Sequence, residues 1–175
     1  MLMKWLALAL CLAVMPAIAL GETLPVREID PEWFYQNPIG PKGIADPSVL
    51  VTDDARYVYG TTMVGYMIMG YRLGERFNDY EMLSFAALPT MQWALKGYWA
   101  PEVIAYEDGY AMVLSAYSTV LNGYRIAVAR ADTPEGPFRD IIGGPLFDFG
   151  YNVIDASLFI DDGHVYLLYV RDVSD

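Results

Sequence analysis

Two aspartates could do chemistry together, because they stand at the same place in two copies of one repeated segment. Asp46 is the second residue of ADPSVLVTDDARYVYGTT (45–62), and Asp155 is the second residue of IDASLFIDDGHVYLLYVRD (154–172). A carboxylate can act as a general base, and its charge can shift the pKa of a neighbouring acid. An aspartate before an apolar strand can also cap a turn, but recurrence at equivalent positions favours a functional pair.

Each copy of the repeat has a small polar opening, an apolar strand, an acidic turn and a second apolar strand that carries tyrosine. A third copy, WAPEVIAYEDGYAMVLSA (99–116), has Ala100 where the other two have aspartate. The copies are therefore spaced by 54 and 55 residues, from 46 to 100 to 155. Repeats of this period are typical of propeller blades, solenoids and arrays. Inner strands of blades surround a channel, so we expect the two carboxylates to meet at one of its ends.

Six other acidic residues also recur, and turn chemistry explains them. They occupy equivalent hairpin positions in the three copies: Asp53, Asp54, Glu107, Asp108, Asp161 and Asp162. Aspartate favours tight turns because its side chain bonds the local backbone. We therefore assign these acids a structural role and keep only the two strand-opening aspartates as site candidates.

The elements that position the aspartates are predicted to be strands throughout. No segment keeps a helical period over ten or more residues, and short apolar runs bounded by turns indicate strands. Four strands in about 50 residues match one blade of a β-propeller. We predict an all-β β-propeller with blade 1 at about 44–90, blade 2 at about 99–145 and the start of blade 3 at about 155–175.

Two and a half blades are too few to close a ring. At this period, four blades need at least roughly 220 residues. We expect residues 22–175 to be the N-terminal part of a longer propeller domain. Residues 20–175 alone would then leave blade faces uncovered, and we predict that such a product aggregates or oligomerises.

Residues 1–21 have the features of a secretory signal peptide. Lys4 precedes a short apolar run, and small residues at Ala17 and Ala19 suit cleavage by a signal peptidase. Pro16 interrupts the run before it reaches a membrane-spanning length. We expect a secreted or periplasmic protein with no membrane association after cleavage.

Composition excludes several other classes of function. Removal of the leader takes away Lys4 and leaves 10 cations against 22 carboxylates, a net charge near −12. Such a surface repels phosphate backbones, which argues against a nucleic-acid partner. The single cysteine, Cys11, leaves with the leader, so the mature chain has neither disulfides nor thiol chemistry.

Four motifs in a fixed order give the chain a resemblance to glycoside hydrolase family 43. They are NPIGPKGIADPSVLV with YVYGTT, then YWAPEV, then RIAVARADTPEGPF, and finally VIDASLFIDDGHVYLLY. The resemblance implies a five-bladed β-propeller that acts on arabinose- and xylose-containing polysaccharides with inversion. It implies that Asp46 is the general base and that Asp155 is the pKa modulator that orients the acid.

The same resemblance places the general acid on a glutamate of a later blade. Glu135 lies in an EGP sequence, but it precedes Asp155 in the blade-two turn, so the acid role is not transferred to it. Glu102 of the WAPEV motif is expected to be structural. The resemblance requires no cofactor for the chemistry and allows a structural calcium on the axis, but it assigns no metal ligand in this chain.

Aromatic residues supply the candidate sugar contacts for an oligosaccharide or polysaccharide partner. Trp99 adjoins Ala100 on the inner strand, where an indole could stack on a sugar; the alternative is a core tryptophan between blades. Trp33, Phe34 and Tyr35 could line the pocket rim, although anchoring of the irregular lead-in is favoured. His164 has no partner in sequence that would make it a metal ligand.

Two other classes of function remain open. One is a propeller that binds carbohydrate without hydrolysing it, either by design or because the chain is an inactive fragment. The other is an exported propeller scaffold with no role in sugar chemistry.

Overall fold

Ten antiparallel strands in three sheets account for the regular structure of the described residues. A computed structural model describes residues 40–75, 79–87 and 91–173, all within one compact unit, 37–175. The strands are β1 Ile44–Val51, β2 Arg56–Thr62, β3 Ile68–Leu73, β4 Tyr80–Ala87, β5 Lys96–Tyr106, β6 Gly109–Ser118, β7 Gly123–Ala131, β8 Arg139–Asp140, β9 Val153–Asp161 and β10 His164–Arg171.

Each sheet is an up-and-down meander in chain order. The first sheet has the order β1-β2-β3-β4, the second has the order β5-β6-β7-β8, and β9 pairs with β10 in the third. We call them blade 1, blade 2 and blade 3. The described ranges contain no helix, so the all-β prediction is confirmed. Among the same residues, no helix has the length and hydropathy needed to cross a membrane.

The blades pack face to face, which explains why their apolar runs do not alternate with polar residues. Met112 and Leu114 of β6 and Ala127 and Ala129 of β7 are all buried between blades 1 and 2. A second cluster, which includes Val113, lies between blades 2 and 3. Blade 2 is covered on both sides and so carries near-continuous hydrophobic strands.

The two outermost sheets expose apolar side chains. Val51 on β1 is 69% exposed, and Leu168 on β10 is 57% exposed. In a closed ring a neighbouring blade covers such faces. The predicted aggregation of residues 20–175 depends on these two faces and stays a prediction.

Several features predicted from the sequence lie outside the described residues. They are the leader at 1–21, with Cys11, and the aromatic group Trp33, Phe34 and Tyr35.

Candidate active site

The first strand of every blade contains a β-bulge at the repeated position. In β1, Ala45 pairs with Thr61 and Ser48 pairs with Tyr59, so two residues of β1 oppose Gly60 alone. Strands β5 and β9 have the corresponding irregularity. A bulge bends its strand and redirects the side chain that it carries, which is why bulges are common beside active sites.

The residue at each bulge has a left-handed backbone. Its φ angle is 46° at Asp46, 44° at Ala100 and 53° at Asp155. Aspartate tolerates this region better than most residues, whereas alanine has no side chain to compensate. Gly60 permits the close approach in blade 1, because a Cβ there would lie 2.9 Å from the Ala45 carbonyl oxygen. The repeat therefore specifies an unusual backbone at this position even where the residue is alanine.

The structure brings the two predicted aspartates into electrostatic reach of each other. Strand β1 packs against β5, and β5 packs against β9, so the three bulged strands lie side by side in blade order. The pKa of the Asp155 carboxyl is raised by partial burial first, then by the charge of Asp46 and then by that of Asp172. Two carboxylates that share a site disfavour each other's ionisation.

Two hydroxyl groups connect the bulges of neighbouring blades. Thr61 on β2 accepts a hydrogen bond from the amide nitrogen of Ala100 at 2.7 Å. It also donates to Oδ2 of Asp46 at 3.0 Å. Ser115 on β6 accepts a hydrogen bond from the amide nitrogen of Asp155 at 2.9 Å. Each bulge amide of blades 2 and 3 is therefore held by the second strand of the preceding blade.

Trp99 lies at the surface of an aromatic cleft and is not a core residue between blades. It is 37% exposed, and its indole stacks on Tyr124 with a centroid distance of 4.1 Å. The cleft has a volume of about 430 Å³ and is also lined by Lys96, Tyr117 and the 62–66 turn. An aromatic cleft of this kind can receive the apolar face of a sugar.

Asp172 is a third carboxylate near this region, and the sequence interpretation missed it. Its charge raises the pKa of Asp155. It also raises the pKa of Tyr124, after the larger effects of burial and of Tyr117. Asn152 joins the same groups, because its side-chain oxygen accepts from the Tyr124 amide at 3.0 Å and its carbonyl accepts from the Asp172 amide at 3.1 Å. The aromatic cleft and the carboxylate pair are therefore neighbouring parts of one region.

The repeat contained a signal for the hydroxyl groups but not for Asp172. Thr61 and Ser115 stand 54 residues apart, which is the repeat spacing, and both carry hydroxyls. The residue 55 positions before Asp172 is Tyr117. An aligned repeat thus reveals the hydroxyl pair, whereas the third carboxylate becomes visible only in three dimensions.

The two glutamates that were set aside both make contacts between blades. Glu135 accepts a hydrogen bond from the Tyr57 hydroxyl at 2.6 Å, and the Tyr59 hydroxyl donates to the Pro134 carbonyl. Burial opposes ionisation of Glu135, but hydrogen bonds from Tyr57, its own backbone and Thr133 lower its pKa overall. Glu102 accepts a hydrogen bond from the Leu158 amide at 3.2 Å. Both carboxylates are occupied in joining blades.

The repeated turn acids lie at the other ends of the strands from the bulges. In blade 2 they form ion pairs with Arg130, at 2.8 Å for Glu107 and 2.5 Å for Asp108. A cleft of about 720 Å³ surrounds Asp53 and Asp54 in blade 1. Although it is larger than the Trp99 cleft, it lies at the wrong end of the blade to include the strand-opening aspartates.

The described residues provide no metal site. Across residues 40–75, 79–87 and 91–173, no three His, Cys, Asp or Glu side chains come together in a way that could hold an ion. His164 lies at the blade-three hairpin, with Nδ1 3.1 Å from the Asp162 carbonyl oxygen. The axial calcium that the resemblance allows finds no ligand set in this part of the chain.

The repeated antiparallel sheets, each with a bulge in its first strand, define a fold class, the β-propellers. Residues 35–174 match the model of glycosyl hydrolases family 43, and the chain belongs to that family. The β-D-galactofuranosidase xynD of Aspergillus niger is 30% identical over 145 residues, which cover 72% of this chain and 42% of that protein.

Solved structures of the family have the same fold, the five-bladed β-propeller. A thermostable family-43 glycoside hydrolase is 36% identical with a TM-score of 0.73, over 81% of this chain and 46% of the other. The GH43_1 enzyme from Xanthomonas citri, solved in complex with xylose, is 27% identical with a TM-score of 0.60, over 71% of this chain and 39% of the other. The chain thus spans less than half the length of these relatives.

Proposed function

We propose that the protein is an exported glycoside hydrolase that cleaves arabinofuranosyl or xylosyl linkages of plant-type polysaccharides with inversion. One observation carries the proposal. Asp46 and Asp155 occupy the same bulge position in two blades, and they interact electrostatically. The family membership of residues 35–174 supports the reaction class.

Asp46 is proposed as the general base. Its Oδ2 accepts the hydrogen bond from Thr61, which leaves Oδ1 to take a proton from the attacking water. The side chain is exposed, as a base that meets water requires. An inverting enzyme holds its base and acid roughly 6.5 to 9.5 Å apart, so that water fits beneath the anomeric carbon. We propose that the acid is a glutamate of a later blade.

Asp155 is proposed as the residue that modulates the acid. Its pKa is raised by burial and by Asp46, which means that its surroundings disfavour its negative charge. A negative charge beside a carboxylic acid raises the pKa of that acid and keeps it protonated until it meets the leaving group. The charge of Asp172 adds to the same effect on Asp155.

The substrate class follows from the cleft and from the relatives. Trp99 and Tyr124 offer aromatic surface for a sugar, and the Xanthomonas citri enzyme is complexed with xylose. The name of the Aspergillus niger relative adds galactofuranosides to the substrates to test. We propose an oligosaccharide or polysaccharide substrate, no cofactor in the chemistry, and export to the periplasm or medium by the leader.

The test is hydrolysis of nitrophenyl arabinofuranoside, xyloside and galactofuranoside by the protein expressed over its whole reading frame. Asp46→Ala should lower kcat/KM by at least about 10²-fold, the usual scale for loss of a general base. Asp54→Ala, a carboxylate at the opposite end of the same blade, should have little effect and serves as the matched control.

Two results would contradict the proposal. Full activity of Asp46→Ala would exclude Asp46 from the mechanism, and a product of retained anomeric configuration by NMR would exclude inversion. Binding of xylo- or arabino-oligosaccharides with no hydrolysis on any substrate would favour the non-catalytic propeller instead.

A further inference from the structure

We propose that Thr61 is the positioning residue of the base, because one hydroxyl fixes the Asp46 carboxylate and ties its orientation to blade 2. The inference rests on the proposed function of Asp46. Thr61 is 8% exposed. Its Oγ1 donates to Asp46 Oδ2 at 3.0 Å and accepts from the Ala100 amide at 2.7 Å.

The two bonds together remove the freedom of the hydroxyl. An isolated threonine hydroxyl rotates to suit its partners. Here the Ala100 amide takes the acceptor side, so the proton is directed towards Asp46. The backbone of Thr61 pairs with Ala45, the residue before the base, and this fixes the hydroxyl beside the carboxylate. Blade 2 therefore sets the direction in which blade 1 presents its base.

Ser115 provides the internal comparison. It occupies the same repeat position in blade 2, is fully buried and accepts the corresponding bond from the Asp155 amide at 2.9 Å. Its bulge partner within the blade is Ala100, which has no carboxylate to receive the proton. The bond between blades is thus common to both hydroxyls, and the bond to a carboxylate is particular to Thr61.

This arrangement predicts an effect on the chemical step more than on substrate binding. Asp46 is exposed, so solvent can replace the lost hydrogen bond to its carboxylate, but solvent cannot hold the group in one orientation. A misplacement of 1 Å in a reacting group can lower a rate by about 10²-fold. Removal of the Thr61 hydroxyl should lower kcat about 10- to 100-fold, with KM changed less than about threefold.

The experiment compares three variants of the protein expressed over its whole reading frame. Thr61→Val removes the hydroxyl at constant volume, and Thr61→Ser keeps it. Thr52→Val is the matched control, since Thr52 also donates and accepts through its hydroxyl, both with Ala55, at the other end of the same blade. We expect Thr61→Val to show the loss of kcat and Thr61→Ser to keep a kcat within about threefold of wild type. We expect Thr52→Val to have a lower melting temperature and an unchanged kcat.

Specific results would overturn the inference. One is a Thr61→Val protein that melts earlier but keeps its kcat, because the hydroxyl would then be structural only. Another is a Thr61→Ser protein as slow as Thr61→Val. If the valine variant fails to fold, Thr61→Cys replaces it, because cysteine has the shape of serine but only a weak donor. Activity equal to that of Thr61→Ser would then contradict the inference.

The same series separates this inference from the proposed function. If Asp46→Ala is inactive and Thr61→Val is fully active, only the positioning role fails. If Asp46→Ala keeps its activity, the base assignment fails, and the positioning role fails with it.

Discussion

The junction between blades 1 and 2 and the junction between blades 2 and 3 are built on the same repeat, but they are fastened differently. At the bulge the two are alike, because Thr61 and Ser115 each accept a hydrogen bond from an amide of the next blade. The two junctions differ two residues after the bulge residue of the inner strand. There Glu102 reaches the Leu158 amide, whereas the equivalent Ser48 has a buried hydroxyl without a hydrogen bond among the described residues.

The first junction also has contacts at its outer side. The turn at 133–137 of blade 2 reaches blade 1, where Glu135 accepts from Tyr57 and Pro134 accepts from Tyr59. The comparison teaches that the bulge and its hydroxyl contact recur at both junctions, whereas the side-chain contact two residues further along the inner strand is present only at the second within the described part of the chain.

Among the variants that test this comparison, Glu102→Ala should have the largest effect on stability. The substitution leaves the Leu158 amide without its partner at a half-buried position. Hydrogen bonds to charged groups contribute about 1.5–3 kcal/mol, so we expect the free energy of unfolding to fall by about that amount. Denaturant unfolding of the protein expressed over its whole reading frame measures it.

Glu102→Gln is the matched control, because it keeps an oxygen that can accept the same hydrogen bond. It should lose less than half as much as the alanine variant. Equal losses in the two variants would mean that the charge of Glu102 has a partner other than the Leu158 amide, and the proposed difference between the junctions would then be wrong.

The architecture could be predicted from the sequence because the repeat carries its own alignment. Three copies of one pattern gave the strand order, the acidic turns and the equivalence of Asp46, Ala100 and Asp155. The role of Glu102 as a structural residue also agrees with its contact to Leu158. These features depend on local periodicity and turn chemistry, which a single sequence contains.

The rest of the site depends on tertiary contacts, within blades and between them, which a single sequence does not contain. The left-handed backbone of Ala100 is not a conformation that alanine itself favours, so tertiary structure imposes it. Asp172 falls outside the repeat pattern; the pairing of β10 with β9 brings it to Asp155, and the packing of blade 3 on blade 2 brings it to Tyr124. The stacking of Trp99 on Tyr124 is a contact within blade 2, between two strands that are not neighbours in the sheet.

A smaller effect is expected for Asp155→Asn, and its size depends on pH. The folded protein raises the pKa of Asp155 through burial, Asp46 and Asp172, so folding favours the protonated carboxyl. The stability that Asp155 contributes is present below its ordinary pKa and is lost as the pH rises through the raised value. Asparagine does not ionise, so the variant should be more stable than wild type at pH 7.

The gain should be less than about 1 kcal/mol, because the side chain is exposed and water screens its charge. It should shrink as the pH falls towards the ordinary aspartate pKa. Melting temperatures at several pH values measure it. Asp162→Asn is the matched control, since Asp162 has a similar φ angle of 46° but lies at the hairpin turn. A gain at Asp155 that does not change with pH would mean that ionisation is not its cause.

The smallest effect is expected for Ser48→Ala, the counterpart of Glu102 at the first junction. The Ser48 hydroxyl is buried and makes no hydrogen bond within residues 40–75, 79–87 and 91–173. Its removal breaks no such bond and relieves the desolvation of a polar group, so unfolding free energy should stay within about 0.5 kcal/mol of wild type or rise slightly. A loss of unfolding free energy as large as that of Glu102→Ala would mean that both junctions are stabilised by a contact at this position of the inner strand. A loss near zero beside a large loss for Glu102→Ala would establish that equivalent positions of the repeat have different functions at successive blades.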